Sequence, residues 1–277
     1  RARAVEAGLA VGTAAEIAEW AEVVALCTPD ETTAGIYREE IAASLKPGNT
    51  LLFAHGFNIH YGFIEPAPEV DVVLVAPKGP GRALRSEFLA GGGLAAYMAV
   101  HQDAWGAAQA TALAYAWGIG CARVGVIPTT FREETETDLF GEQAVLCGGI
   151  PALIKAGFET LLDAGYSPVG AYYECVLEAK LIVDLLYEGG LKHMRESISD
   201  TAEWGGFLAE GRIDTEGLRA AMKQILEEVR TGNFAREWVE EAKLGKPRLA
   251  AFRAEEEAHP AEAVGKELRD SLGWPAS

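Results

Sequence analysis

The chain has 277 residues, 49% of them hydrophobic, enough to bury a substantial core in one or two domains. Its net charge of −17, from 24 basic and 41 acidic residues, argues against a basic nucleic-acid-binding surface and favours solubility. Cys27, Cys121, Cys147 and Cys175 are widely separated, which leaves no C-x-x-C zinc or redox motif and fits buried thiols in a reducing cytoplasm.

Taken in order, Thr13 and Glu16 predict a capping box that opens a short helix through Trp20. The run V-V-A-L-C within residues 22–28 predicts a buried strand, followed by a turn at Thr28-Pro29-Asp30 and a helix from about Thr33 to Leu45. Lys46-Pro47-Gly48-Asn49 stops that helix. Further strands are expected at 51–54, 71–76, 94–100 and near 123–127, with an Ala-rich helix from about Trp105 to Trp117. Apolar strands alternating with helices imply an α/β fold with a mostly parallel, doubly wound, Rossmann-like sheet. Such sheets bind ligands beyond the carboxyl ends of their strands. Three of those ends are polar or Gly-rich here: T-P-D-E, A-H-G-F-N and A-P-K-G-P-G. No G-x-G-x-x-G turn occurs in the chain.

After about residue 130 helical periodicity takes over. The expected domains are therefore 1–129, α/β, and 130–277, all-helical. Helices are expected at 135–147, 150–164, 169–188, 190–204, 215–230 and 233–243, with Gly165, Gly189-Gly190 and Gly232 at helix ends. The tail from about 246 reads as a loosely packed arm. No apolar run approaches the 18 residues of a membrane span, and the opening R-A-R-A-V-E-A-G has no signal-peptide pattern.

Two acidic pairs stand out. Five carboxylates fall between Glu133 and Glu142, and Asp138 and Glu142 are four residues apart. On an α-helix that spacing puts both on one face, where they repel unless a cation sits between them. Glu174 and Glu178 repeat the spacing inside an apolar stretch, where burial would be costly without a partner or a metal. The alternative for each pair is a solvated acidic face. Paired carboxylates on two helices can hold hard cations, and oxygen ligands without histidine favour Mg²⁺. His55 follows a strand at a Gly-containing turn and could equally be a satisfied core histidine. Lys78, between Pro77 and Gly79, is constrained enough to face an anion. Ser199 could simply bond the preceding helical turn.

These stretches together resemble ketol-acid reductoisomerase (acetohydroxy acid isomeroreductase). The matching runs are T-P-D-E at 28–31, A-H-G-F-N-I-H at 54–60, V-A-P-K-G-P-G at 75–81 and E-E-T-E-T-D-L-F-G-E-Q-A-V-L-C-G-G at 133–149. K-A-G-F-E-T-L at 155–161, L-I-V-D-L-x-Y-E-G-G at 181–190 and S-I-S-D-T-A-E at 197–203 continue in the family's order. One helical segment after the Rossmann-like part implies the short class, with a single knotted C-terminal domain. The resemblance implies two Mg²⁺ ions and NADPH as cofactors. It makes Asp138 and Glu142 metal ligands, completed by Glu174 and Glu178 from a second subunit. Ser199, also from that subunit, would meet the substrate carboxylate. His55 matches the active-site histidine, Lys78 would join the network of metal-bound water and substrate oxygen, and Glu142 would take part in proton transfer. Asp30, Glu31, Thr32, Thr33 and Gly81 match cofactor-lining positions.

The implied reaction is an Mg²⁺-dependent 1,2-alkyl shift in 2-acetolactate or 2-aceto-2-hydroxybutyrate, then hydride reduction to a 2,3-dihydroxy acid, in valine and isoleucine biosynthesis. The implied assembly is a homodimer or a higher homo-oligomer with shared sites. The family opens with a strand, a G-x-G-x-x-G-like turn, a helix and a second strand, which are not found here. Roughly 50 residues of a βαβ-type unit would account for them. With that unit go phosphate-binding and nicotinamide-selecting elements, so the chain by itself is expected to bind NADPH weakly. Two other readings are a non-catalytic metal-binding assembly partner and a different hydroxy-acid dehydrogenase. The latter would not need two carboxylate pairs.

Overall fold

A computed structural model describes residues 2–271. The chain forms two compact units, 1–139 and 140–277.

In the first unit, α1 (Ala2–Glu6) and α2 (Ala14–Trp20) precede β1 (Val23–Leu26). The capping box forms as expected: Thr13 Oγ1 accepts from the Glu16 N–H, and Glu16 Oε2 accepts from the Thr13 N–H. Next come α3 (Asp30–Ile36), β2 (Thr50–Phe53), α4 (Phe57–His60), β3 (Asp71–Pro77) and α5 (Gly81–Leu89). The unit ends with β4 (Ala96–Gln102), α6 (Ala108–Gly118), β5 (Val126–Pro128) and α7, which spans Phe131–Phe140. α5 went unread because proline and glycines flank a short, mostly polar stretch.

The strand order is β1-β2-β3-β4-β5. β1–β2, β2–β3 and β4–β5 pair in parallel, whereas β3–β4 is antiparallel. Alternate side chains of each strand enter opposite faces. Leu51, Phe53, Val72, Leu74 and Ala76 pack with Tyr37, Ile41 and Phe131. Leu52, Val73 and Val75 pack with Ala108, Ala112 and Ala116 of α6. Helices thus cover both faces, which explains why the strands read as continuous apolar runs.

The second unit is helical. It contains α8 (Gly149–Asp163), α9 (Pro168–Tyr172), α10 (Glu178–Glu196), α11 (Asp200–Ile213), α12 (Glu216–Arg230), α13 (Asn233–Lys243), α14 (Pro247–Glu257) and α15 (Pro260–Ser271). At the end of α8 the Gly165 N–H bonds Leu162 O and the Tyr166 N–H bonds Leu161 O, with Gly165 at φ +85°, a left-handed cap that suits glycine. Gly190, at φ +77°, breaks α10 close to the predicted boundary.

Several expectations need correcting. The tail is not a loose arm as far as residue 271; residues 272–277 lie outside the described part. Leu268 and Gly265 of α15 are buried, Leu268 in a cluster with Phe158 and Tyr172. Ala261, Val264 and Leu268 carry that contact at helical spacing, a pattern hidden by the surrounding Lys and Glu. The run 135–147 is not one α-helix, because α7 gives way to a π-helical turn at Gly141–Leu146. Further π turns lie at Tyr37–Ile41 and Tyr173–Leu177. Finally, the helical run Phe131–Asp163 holds an 18-residue window of mean hydropathy 1.5, long and apolar enough by composition to cross a membrane. A segment of this kind also occurs in protein–protein interfaces.

Candidate active site

The site in the first unit is built on two strand ends and one helix. β2 ends at Phe53 and delivers His55 and Gly56; β3 ends at Pro77 and delivers Lys78. α7 presents Glu134 and Asp138, four residues apart and so on one face. Glu134 is only 1% exposed. Its carboxylate accepts from the Gly56 N–H at 2.9 Å, lies 3.1–3.2 Å from His55 Nδ1 and accepts from Lys78 Nζ at 3.1 Å. Lys78 Nζ also donates to Asp138 Oδ1 at 2.8 Å, and Asp138 Oδ2 is 3.6 Å from His55 Nδ1. Lys78 sits over the Tyr97 ring, 4.8 Å from its centroid.

Close packing holds this arrangement. A Cβ on Gly56 would stand 2.2 Å from Thr135 Oγ1 and 3.0 Å from Phe131 O, so only glycine lets the β2 loop reach α7.

The charges compensate one another. Burial raises the Glu134 pKa, but the hydrogen bond and charge of His55, with Lys78 and the Gly56 N–H, outweigh it and hold the carboxyl below its ordinary value. Burial opposes charge on His55, yet Glu134, Asp30 and Asp138 outweigh it and raise the imidazole pKa. For Lys78, desolvation is overcome by Asp138 and Glu134, so the ammonium is held more firmly than usual. Near neutral pH Lys78 is therefore a charged hydrogen-bond donor, and Glu134 an ionised acceptor. His55 Nε2 is buried with no hydrogen-bond partner among the described residues, which leaves it for a ligand.

Beside this cluster, Leu26, Thr28, Asp30, Thr33, Phe53, His55 and their neighbours line a cleft of about 230 Å³ at the carboxyl ends of β1 and β2. The position matches the strand-end expectation. Asp30 and Thr33 reach this cleft, with Thr33 tied to Thr28 through their hydroxyls at 2.7 Å. Glu31 and Thr32 lie on α3 but do not line it. Gly81 opens α5 and lines a different cleft with Leu84, Arg85 and Phe88.

Other expected site residues are placed differently. Glu142 lies on the π turn and is exposed. Glu174 and Glu178 are exposed too, and the expected burial of their helix is not found: Leu181, Ile182, Val183 and Tyr187 around them are open to solvent in the single chain. Ser199 does not bond the preceding turn; it caps α11 by accepting from the Ala202 N–H at 3.2 Å. Among the described residues, the candidate metal-ligating atoms that gather within 4.8 Å belong to His55, Glu134 and Asp138. Glu134 was missed as a functional residue. Its signal was the spacing to Asp138, which Asp138 also makes to Glu142, so the run offered two equivalent pairs.

Sequence comparison now decides the family. The model described as "Ketol-acid reductoisomerase, C-terminal domain" matches residues 131–274. That described as "Acetohydroxy acid isomeroreductase, NADPH-binding domain" matches residues 1–125. The chain belongs to the ketol-acid reductoisomerase family. An NADH-preferring ketol-acid reductoisomerase from an uncultured archaeon is 44% identical with a TM-score of 0.95, and the match covers 98% of this chain and 82% of that one. Likeness in fold alone extends to a semialdehyde dehydrogenase NAD-binding protein from Cupriavidus necator, at 16% identity, a TM-score of 0.59 and coverage of 82% and 84%. It extends also to a pyrroline-5-carboxylate reductase from Coxiella burnetii, at 15% identity, a TM-score of 0.53 and coverage of 82% of each chain. Membership of the reductoisomerase family makes this an oxidoreductase with an isomerase step that uses a nicotinamide cofactor and metal ions.

Proposed function

We propose that the chain converts 2-acetolactate or 2-aceto-2-hydroxybutyrate to the corresponding 2,3-dihydroxy acid, using Mg²⁺ and NADPH, in cytoplasmic valine and isoleucine biosynthesis. The observation that carries this reading is the Lys78–Glu134–His55–Asp138 cluster at strand ends of a reductoisomerase-family sheet. The NADPH assignment is supported by the description of the matched N-terminal family model, although the 44% identical relative is NADH-preferring. Four free cysteines support the cytoplasmic location.

Carboxylate oxygens that remain open to solvent support a site for two hard cations. Asp138 is 28% exposed at its side chain and only partly neutralised by Lys78, and Glu142 follows it by four residues on an exposed turn. Asp138 and Glu142 would hold the ions, and Glu174 and Glu178 from a second copy would complete the oxygen set. Bound Mg²⁺ would supply Lewis acidity toward the substrate's hydroxyl and carbonyl oxygens. Lys78 donates a hydrogen bond to a substrate oxygen, and Glu134 holds Lys78 and His55 in place. Glu142 accepts the hydroxyl proton as the alkyl group migrates. His55 orients the substrate through Nε2. Ser199 of the second copy binds the substrate carboxylate.

The large apolar surface around Glu174 and Glu178 supports a homodimer, or a larger homo-oligomer, with shared sites. The reading is tested by incubating the chain with 2-acetolactate, Mg²⁺ and NADPH raised until the rate no longer increases, which allows for the weak NADPH binding expected of the chain by itself. Mg²⁺-dependent formation of the dihydroxy acid is expected; cofactor oxidation that does not require Mg²⁺, or none at all, would contradict it.

A further inference from the structure

Both carboxylate pairs adjoin a π turn. Glu142 lies within Gly141–Leu146, and Glu174 within Tyr173–Leu177 with Glu178 next in sequence. In such a turn each N–H bonds the carbonyl five residues back. Here the Cys147 N–H bonds Glu142 O at 2.7 Å, and the Glu178 N–H bonds Tyr173 O. One residue beyond the α-helical count turns everything that follows by about 100°.

The first π turn enters α8 through Gly148 and Gly149. A Cβ on Gly148 would lie 2.0 Å from Gln143 O, and one on Gly149 would lie 2.4 Å from Ala144 O. Both contacts are with rigid backbone and both span five residues, the π spacing. Gly148 has φ −104°, an ordinary value, so glycine is needed for close approach and not for its dihedral freedom. Ala144, in the middle of the turn, is 5% exposed, so packing restrains the turn from opening. At the second π turn the close approach is instead to another helix, where a Cβ on Gly157 of α8 would stand 3.2 Å from the Cys175 sulfur.

We propose that Gly148 and Gly149 are positioning residues for Glu142. Their missing side chains admit the π turn, and the turn's extra residue sets the direction of the Glu142 carboxylate relative to the helices that follow it, the unit whose second copy would bring Glu174 and Glu178. This rests on the reading of Glu142 as a metal ligand.

Calorimetric titration of the full chain with Mg²⁺ alone tests it, on the wild type, Gly148→Ala and a variant lacking Val145. The deletion shortens both close contacts to α-helical spacing, where a Cβ is tolerated. Gly148→Ala is expected to lower the melting temperature and weaken Mg²⁺ binding at least tenfold. The deletion variant is expected to keep its helical circular dichroism and lose Mg²⁺ affinity to the same degree. Adding Gly148→Ala to the deletion is expected to change its melting temperature no further. Wild-type Mg²⁺ affinity in either folded variant would overturn the inference. So would a Gly148→Ala penalty in the deletion background equal to that in the wild type. Should Gly148→Ala not fold, the deletion variant decides. A wild-type chain that takes up no Mg²⁺ would overturn the metal reading itself, a result distinct from a Mg²⁺-binding wild type whose variants bind equally well.

Discussion

Glu134 shows how one side chain can set a site. It is buried, yet it accepts from a backbone N–H and the Lys78 ammonium and pairs with the His55 imidazole, so its charge is matched locally. Glu134→Leu would leave Lys78 and His55 only the Asp138 carboxylate as counter-ion and the Gly56 N–H without its acceptor. Because Lys78 and His55 are 30% and 19% exposed, water softens the loss, and urea unfolding should show a destabilisation of about 2–3 kcal/mol. A loss below about 0.5 kcal/mol, the range of ordinary surface substitutions, would contradict the account. The same pair gives the metal-free protein a pH window. Glu134's pKa is depressed below 4.5, so its contribution is present above 4.5 and is lost as pH falls through the depressed value. His55's pKa is raised above 6.5, so its contribution is complete below 6.5 and is lost as pH rises through the raised value. Thermal melts in EDTA should therefore show stability falling on both sides of this window, with a flatter profile for Glu134→Gln. Identical profiles would contradict the coupling.

At the scale of elements, the β2 loop and α7 meet through Gly56. Gly56→Ala should destabilise the chain by about 1–3 kcal/mol, the usual cost of overpacking. The nearest clash is with the Thr135 hydroxyl, so Gly56→Ala with Thr135→Ala should cost less than the sum of the two single changes. Strict additivity in unfolding titrations would place the strain elsewhere. Strands, the capping box at Thr13 and the helix breaks at Gly165 and Gly190 were legible because each depends on local pattern. The π turns were not, since Asp138/Glu142 and Glu174/Glu178 carry the same spacing that a regular α-helix would use. The antiparallel β3–β4 pairing was hidden for a similar reason, because strand direction leaves no mark in a short apolar run. α15 was missed because its buried stripe is narrow and its other faces are charged.

The whole molecule exposes apolar side chains that a single chain does not bury. Leu181, Tyr187, Leu191 and Trp204 are 60%, 90%, 74% and 69% exposed. Light scattering should give at least twice the chain mass of 29.5 kDa, and Leu191→Asp should shift the population toward the single chain. A monomeric wild type would contradict the proposed assembly. The chemistry of the acidic run was legible in its residues, but the proposed incompleteness of the site in one chain came only from the family resemblance, because contacts between copies leave no spacing signal. That incompleteness is tested most directly by mixing two inactive variants, Asp138→Asn and Glu174→Gln, under conditions that exchange subunits. Each alone should form no dihydroxy acid from 2-acetolactate. If the copies share sites, half of a randomly mixed dimer population carries one intact site in two, and about a quarter of wild-type turnover should return. A mixture as inactive as its parents, with exchange verified, would contradict the account.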